Sequence, residues 1–304
     1  MSGKLGEIEN RIAATHQLDA VIAAMRGIAA SRSHEAQARL AGIRAAAATA
    51  GAAIGEVLAL APVHAVAREA AAGRAAAVSS TVDERADRAD GGAVCIVVGT
   101  EQGFAGALND ELVAHARRLD GARVHRWMLV GSRLVSAAAG HGVTGAWSAP
   151  MVAHPDGVPQ LAVRIADALY ARLADGKHAT RVSVVSALPG ESHLRIAQRT
   201  LVPFDFTRFR VSQRTQPPLL NVAPERLVAG LVEFYVFVEL CETLMLSFAA
   251  ENEARVRAML AARANVQKRL TDLTQRYRAL RQDEITAEIV ELCTGGEAAR
   301  RTAG

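Results

Sequence analysis

"FYVFVELCETLMLSFAAENEARVRAMLAARANVQKRLTDLTQRYRALRQ" (residues 234–282) decides how this 304-residue chain is organised. Phe234, Val238, Cys241, Met245 and Phe248, then Met259, Ala262, Val266, Leu270, Leu273, Tyr277 and Leu280, follow one another in steps of four and three. That spacing keeps them on one face of a helix, as in a coiled-coil seam. No proline or glycine occurs from 231 to 294, and Asn221 and Pro224 supply a start signal. The pattern predicts one helix of about 60 residues, roughly 90–100 Å long at 1.5 Å per residue. The seam turns polar at Asn252 and Arg255, so this part of the face meets something other than an oily partner.

A compact chain of this length has a radius of gyration near about 19 Å, so such a helix is about twice the diameter of a globule. It needs a companion of comparable length. The stretch from Leu5 to about Leu60 has no proline and places Ile8, Ile12, Leu18, Ile22, Met25 and Ala29 at the same kind of spacing. The two chain ends are therefore expected to pair as an antiparallel two-helix coiled coil, residues 1–60 with 214–304.

Between them the texture changes. The Asp/Arg-rich 80–92, in a linker or helical extension over 61–92, leads into "AVCIVVG" (93–99), a helix near 107–119, "VHRWMLVG" (124–131), helices at 132–140 and 159–174, and "RVSVVSAL" (181–188). Strands alternating with helices predict a small Rossmann-like parallel-sheet α/β domain over 93–213, covered on both faces. Residues 194–206 are expected to add an edge strand. The fold class is thus α/β plus a long coiled coil.

Half the residues are apolar, the net charge is +4, and only three of 35 basic residues are lysine. That is an arginine- and alanine-rich coding bias, not a nucleic-acid footprint, and 4% aromatics offer few stacking platforms. Cys95, Cys241 and Cys293 are isolated from one another, as in a reducing cytosol. The apolar stretches 45–62 and 227–250 contain Glu56 and Glu233, Glu239 and Glu242, so neither is read as a membrane span. The N-terminus is read as lacking a targeting segment.

The segment with the most enzymatic look is "GTEQGFAGALND" (99–110). Its glycines, Gly99, Gly103 and Gly106, fit neither GxGxxG nor a P-loop, and no lysine follows to reach a phosphate. Gly103 and Gly106 are read as permitting a tight strand-to-helix turn, with Asn109 a local cap or interface residue. Histidines lack metal-ligand spacing, no GxSxG occurs, and no cysteine has a neighbouring base. No catalytic residue, cofactor, metal or small-molecule substrate is expected.

The two ends also carry a family resemblance. "RIAATHQLDAVIAAMRGIAASRSHEAQ" (11–37) resembles the N-terminal signature of the gamma subunit of F-type rotary ATP synthases in Arg11-Ile12, Ala24-Met25-Arg26 and Ala29-Ala30-Ser31-Arg32. Residues 250–296 are similar to the C-terminal signature at Glu251, Ala254-Arg255, Ala258-Met259, Asn265, Leu273, Tyr277, Arg281-Gln282, Ile285-Thr286, Glu288, Glu291 and Gly295. The family's serine-aspartate-arginine-glycine-leucine-cysteine-glycine-glycine run matches 99–110 at Gly103, Gly106 and Asn109 and departs at Glu101, Gln102, Phe104, Ala105 and Ala107. Leu18, Asp19-Ala20, Ala23 and Gly27 also depart, which points to a divergent branch such as the alternative bacterial ATPases, the coupling ion being proton or sodium.

The resemblance implies a non-catalytic rotor shaft at the cytoplasmic face of a bacterial membrane. The helix pair would sit inside a ring of alpha and beta subunits, and the α/β domain would join epsilon and the membrane c-ring. It further implies ring contacts at Met25, Arg26, Ser31, Arg32, Arg255, Met259, Arg281, Gln282 and Thr286. From Glu251 to Arg281 eight basic residues face three acidic ones, a balance that a solvated face or acidic ring levers would accommodate. A free-standing structural or regulatory coiled-coil protein with a vestigial nucleotide-binding-like domain is the rival class, separated by what co-purifies with the chain.

Overall fold

In a computed structural model the described residues are 2–60, 93–120, 124–174, 181–190, 194–214 and 218–302. The linker expected over 61–92 lies outside them. By proximity the chain divides into two units, Met1–Ala29 with Val256–Gly304, and Ala30–Arg255.

The terminal helices are α1 (Ser2–Leu58) and α5 (Pro224–Thr302). Proline at the first position of α5 has no N–H to leave unpaired, and Glu225 in its first turn complements the helix dipole. The helix is longer than its apolar seam, running N-terminally through Gly230 and on past Gly295. In the first unit the two helices are antiparallel: Asp19 pairs with Arg263 at 3.1 Å, and farther toward the N-terminus Glu9 accepts from the Tyr277 hydroxyl at 2.6 Å. Ile22, Met259 and Val266 form the buried seam there, with Met25 and Ala262 packed against it.

The second unit is built on five strands: β1 (Ala93–Val98), β2 (Val124–Val130), β3 (Gly145–Ala149), β4 (Arg181–Leu188) and β5 (Arg195–Val202). Their order is β3-β2-β1-β4-β5. The helices between them are α2 (Leu108–Asp120), α3 (Ser132–Gly140) and α4 (Val158–Ala174). The first four strands are parallel, as expected, and β5, the edge strand expected over 194–206, runs antiparallel to β4. The six-residue link from β4 to β5 is too short for a parallel crossover and permits only a hairpin. β3 is a strand the sequence reading passed over.

Every residue of β1 is buried, as a central strand covered on both faces requires. Side chains alternate between two cores. Val94, Ile96 and Val98 pack with α4 (Leu161, Ile165, Leu169), with Leu40 of α1 and with Leu240, Leu244 and Phe248 of α5. Cys95 and Val97 pack with α2 (Leu112, Ala116), with α3 (Leu134, Ala138) and with Ala250 and Ala254 of α5. Residues 240–254 of α5 therefore contribute to both cores.

Candidate functional site

In an open α/β sheet, ligands bind outside the carboxyl ends of the strands, where the strand order reverses. Here that point lies beside β1, which has β2 on one side and β4 on the other, and the 99–106 turn forms its wall. The crevice is filled by α5. Ser247 Oγ donates to the carbonyl of Val98 at 3.3 Å. The Glu251 carboxylate accepts from the N–H of Glu101 at 3.3 Å and of Gln102 at 3.1 Å. Arg255 Nε donates to the carbonyl of Gly103 at 3.3 Å.

Two successive backbone N–H groups aimed at one anion is the arrangement a glycine-containing turn offers a phosphate. In this chain the anion is its own Glu251. Arg255 completes the group, donating through Nη2 to Glu251 Oε1 at 2.6 Å and through Nη1 to Asn252 Oδ1 at 2.8 Å. Glu251 and Arg255 are only 4% and 5% exposed. Burial pushes the Glu251 carboxyl above its ordinary pKa, and the Arg255 charge and the turn's N–H groups oppose that rise. The polar interruption of the helical seam is thereby accounted for: Arg255 faces the turn, and Asn252 is held within α5, donating to the Phe248 carbonyl and accepting from Arg255.

Glu101 serves a second anion nest. Its carboxylate accepts from the N–H and hydroxyl of Ser132, at 2.9 and 2.6 Å, and from the N–H of Met151 at 2.8 Å. It thus caps the start of α3 and ties down the chain beyond β3. Burial would raise its pKa, but the hydrogen bonds from Ser132 and Met151 outweigh that and hold it below the ordinary value. Asn109 braces the turn from inside, accepting from the Thr100 N–H at 3.0 Å and donating to its hydroxyl at 2.8 Å. The left-handed positions are Phe104 and Gly106, both at φ 64°. Gly103 is not among them, and what it supplies is its carbonyl. Phe104 is held outward, 64% exposed.

A depressed carboxyl contributes stability that is complete above its unfolded pKa, about 4.3 for Glu, and is lost as pH falls through the folded value. Glu101→Gln should therefore cost about 1–2 kcal/mol at pH 7, as other lost helix caps do. The melting temperatures of variant and wild type should converge below about pH 4. A gap that stayed constant from pH 7 to pH 3 would show that the charge of Glu101 is not what stabilises.

The other expected site residues fall elsewhere. Met259 is buried at 3% exposure with Ile22 and Val266 in the helix seam, and Met25 and Arg26 are half-buried nearby on α1 or its flank. Arg281, Gln282 and Thr286 are exposed. Thr286 Oγ1 donates to the Gln282 carbonyl at 2.8 Å, leaving the Gln282 amide free of that bond, and Arg281 approaches the Tyr277 hydroxyl at 3.4 Å. From Met259 to Arg281 is about 33 Å along the helix, so these residues form two separate groups. Ser31 is exposed and Arg32 half-exposed on α1. Arg255 and Met259, expected to face a ring, are turned into the chain itself. Glu251 had appeared only as a shared family position; a carboxylate four residues before an arginine inside an apolar seam was the signal for its role.

Among the described residues no helix is long and apolar enough to cross a membrane. A family model described as ATP synthase matches residues 4–299. The ATP synthase gamma chain of Aliarcobacter butzleri is 29% identical over 142 residues, 44% of this chain and 48% of that one. That of Methylacidiphilum infernorum is 35% identical over 85 residues, 26% of this chain and 29% of that one. The chain thus spans about half or less of the length of these curated relatives. By fold it is similar to a chain of the Euglena gracilis mitochondrial ATP synthase OSCP/F1/c-ring structure, with a TM-score of 0.67 at 13% identity, covering 98% of this chain and 95% of that one. A chain of the rotor of the same enzyme gives 0.63 at 13% identity, covering 94% and 100%.

Proposed function

The chain belongs to the ATP synthase gamma family, and from that membership we propose that it is the central-stalk rotor subunit of an ion-coupled rotary ATP synthase. The observation that carries this reading is the pair of antiparallel terminal helices joined to an α/β domain whose ligand crevice is filled from within. The chain performs no chemistry. Three identical catalytic sites are held in different states only when something asymmetric touches them, and a single helix pair inside a threefold ring has the required asymmetry. The helices of 1–60 and 214–304 act as the shaft. The domain over 93–213 acts as the foot, meeting epsilon and the c-ring at the cytoplasmic face of the bacterial membrane.

The exposed Arg281, Gln282 and Thr286 are the residues best placed to meet alpha and beta subunits, with Arg26, Ser31 and Arg32 as a second group. Arg255 and Met259 act inside the chain. A tagged chain recovered from its native membranes should bring alpha, beta and epsilon subunits with it, and recovery of the chain alone would overturn the reading. Replacing Gln282 and Thr286 together by alanine should lower ATP synthesis by membranes severalfold while the amount of assembled complex holds. Unaltered synthesis would remove these two residues from the proposed ring contact.

A further inference from the structure

Ser247, Glu251 and Arg255 stand at i, i+4 and i+8 of α5, on one face. They bind, in the same order, the carbonyl of Val98, the N–H groups of Glu101 and Gln102, and the carbonyl of Gly103. Helix and turn are thus laced together over two turns by bonds to backbone atoms. A second lacing lies lower on the same helix. Arg199 of β5 reaches Glu242 at 3.3 Å and Glu239 at 3.5 Å, Arg44 of α1 reaches Glu242 at 2.9 Å, and Arg208 reaches Glu239 at 2.7 Å.

From Glu239 to Arg255 is about 24 Å of helix. Between the two lacings Leu244 and Met245 pack in the apolar core. Apolar contacts resist separation but have no direction. A large turn of the helix about its own axis would pull these side chains out of the core, but no single bond among them resists a small slip in angle. Hydrogen bonds to fixed backbone groups are directional and do not permit that slip.

We propose that Glu251 is a positioning residue, the key of the upper lacing, which fixes the 99–103 turn of the foot rotationally to α5, so that twist in this helix is delivered to the foot and not lost at their junction. The inference rests on the rotor reading. Of the residues in the upper lacing, Glu251 alone joins two backbone N–H groups of the turn to a second key residue, Arg255. Its removal opens the lacing at its centre and leaves the apolar cores in place.

The test uses the whole complex in inverted membrane vesicles, with assembled complex, ATP hydrolysis and ATP-driven ion pumping each measured. Glu251→Gln keeps the side chain's shape and removes its charge. The expected result is complex in wild-type amount, hydrolysis close to wild type, and ions pumped per ATP reduced severalfold. Unchanged pumping per ATP, or pumping and hydrolysis falling in proportion, would overturn the proposal. Should the Gln variant not assemble, Arg255→Lys takes its place with the same readouts and outcomes, since a lysine keeps the charge beside Glu251 but cannot also hold Gly103 and Asn252. Wild-type chain that failed to support pumping at all would instead sink the rotor reading and leave the lacing untouched.

Discussion

Replacing Arg255 by alanine is expected to destabilise the folded chain by about 3–5 kcal/mol, the usual cost of breaking a buried ion pair from one side. For a unit of this size, that is a drop in melting temperature on the order of 10 °C. The guanidinium holds three acceptors: the Gly103 carbonyl, Asn252 Oδ1 and Glu251 Oε1. Without it the Glu251 carboxylate stays buried and loses the charge that opposes the burial-driven rise in its pKa. That pKa then climbs further. A group whose folded pKa lies above its unfolded value makes the folded state bind the extra proton, so stability falls as pH rises from about 4.3 through the folded value. The variant should therefore recover part of its loss on acidification from pH 7 to pH 5. Arg164, exposed on α4, is the control: its alanine variant should stay within about 0.5 kcal/mol of wild type. Equal losses at the two positions would remove Arg255 from the buried network.

Most of the fold was legible because its signals are periodic. A seam repeating in fours and threes over 14 positions from Phe234 to Leu280 has no reading other than a long helix, and the Val/Ile-rich runs at 93–99 and 181–188 read as buried strands. β3 was not legible. "GAWSA" (145–149) is five residues long, lies at the sheet edge and is buried only in part, so it carries little of the composition that marks a strand. The antiparallel placement of β5 was recoverable from the short link before it. The site was half legible. Asn252 and Arg255 announced a polar partner, but a residue's type does not state the direction in which it looks. An arginine in a basic helix reads equally well as facing a neighbouring subunit or the chain's own turn, and here the turn, 152 residues away in sequence, satisfies it.

Gly131→Ala should be nearly as damaging as the loss of Arg255, for a different reason. Gly131 joins β2 to α3 at φ 109°, and a Cβ there would lie 2.6 Å from the Thr100 carbonyl oxygen. The positive φ costs an alanine about 1–2 kcal/mol, and forcing an extra carbon into a packed site costs about 1–3 more. The obstructing atom is backbone and already accepts from the Arg133 N–H at 3.1 Å, while the Gly131 N–H donates to the Ala149 carbonyl at 2.8 Å. Neither side can yield without breaking a bond at the end of the sheet. We expect a loss of about 3 kcal/mol, or roughly 6–12 °C in melting temperature. Gly106 separates the two contributions, since it shares the left-handed conformation (φ 64°) but has open space where a Cβ would go. Gly106→Ala should cost only about 1 kcal/mol, and Gly106→Asn less, because asparagine tolerates that region. Equal losses at 106 and 131 would mean that conformation alone is responsible and that the approach of Thr100 is relieved at no cost. Displacement of Ser132, which follows Gly131 and donates to Glu101, adds a second signature: Gly131→Ala should also flatten the acid limb of the stability profile that Glu101 supplies.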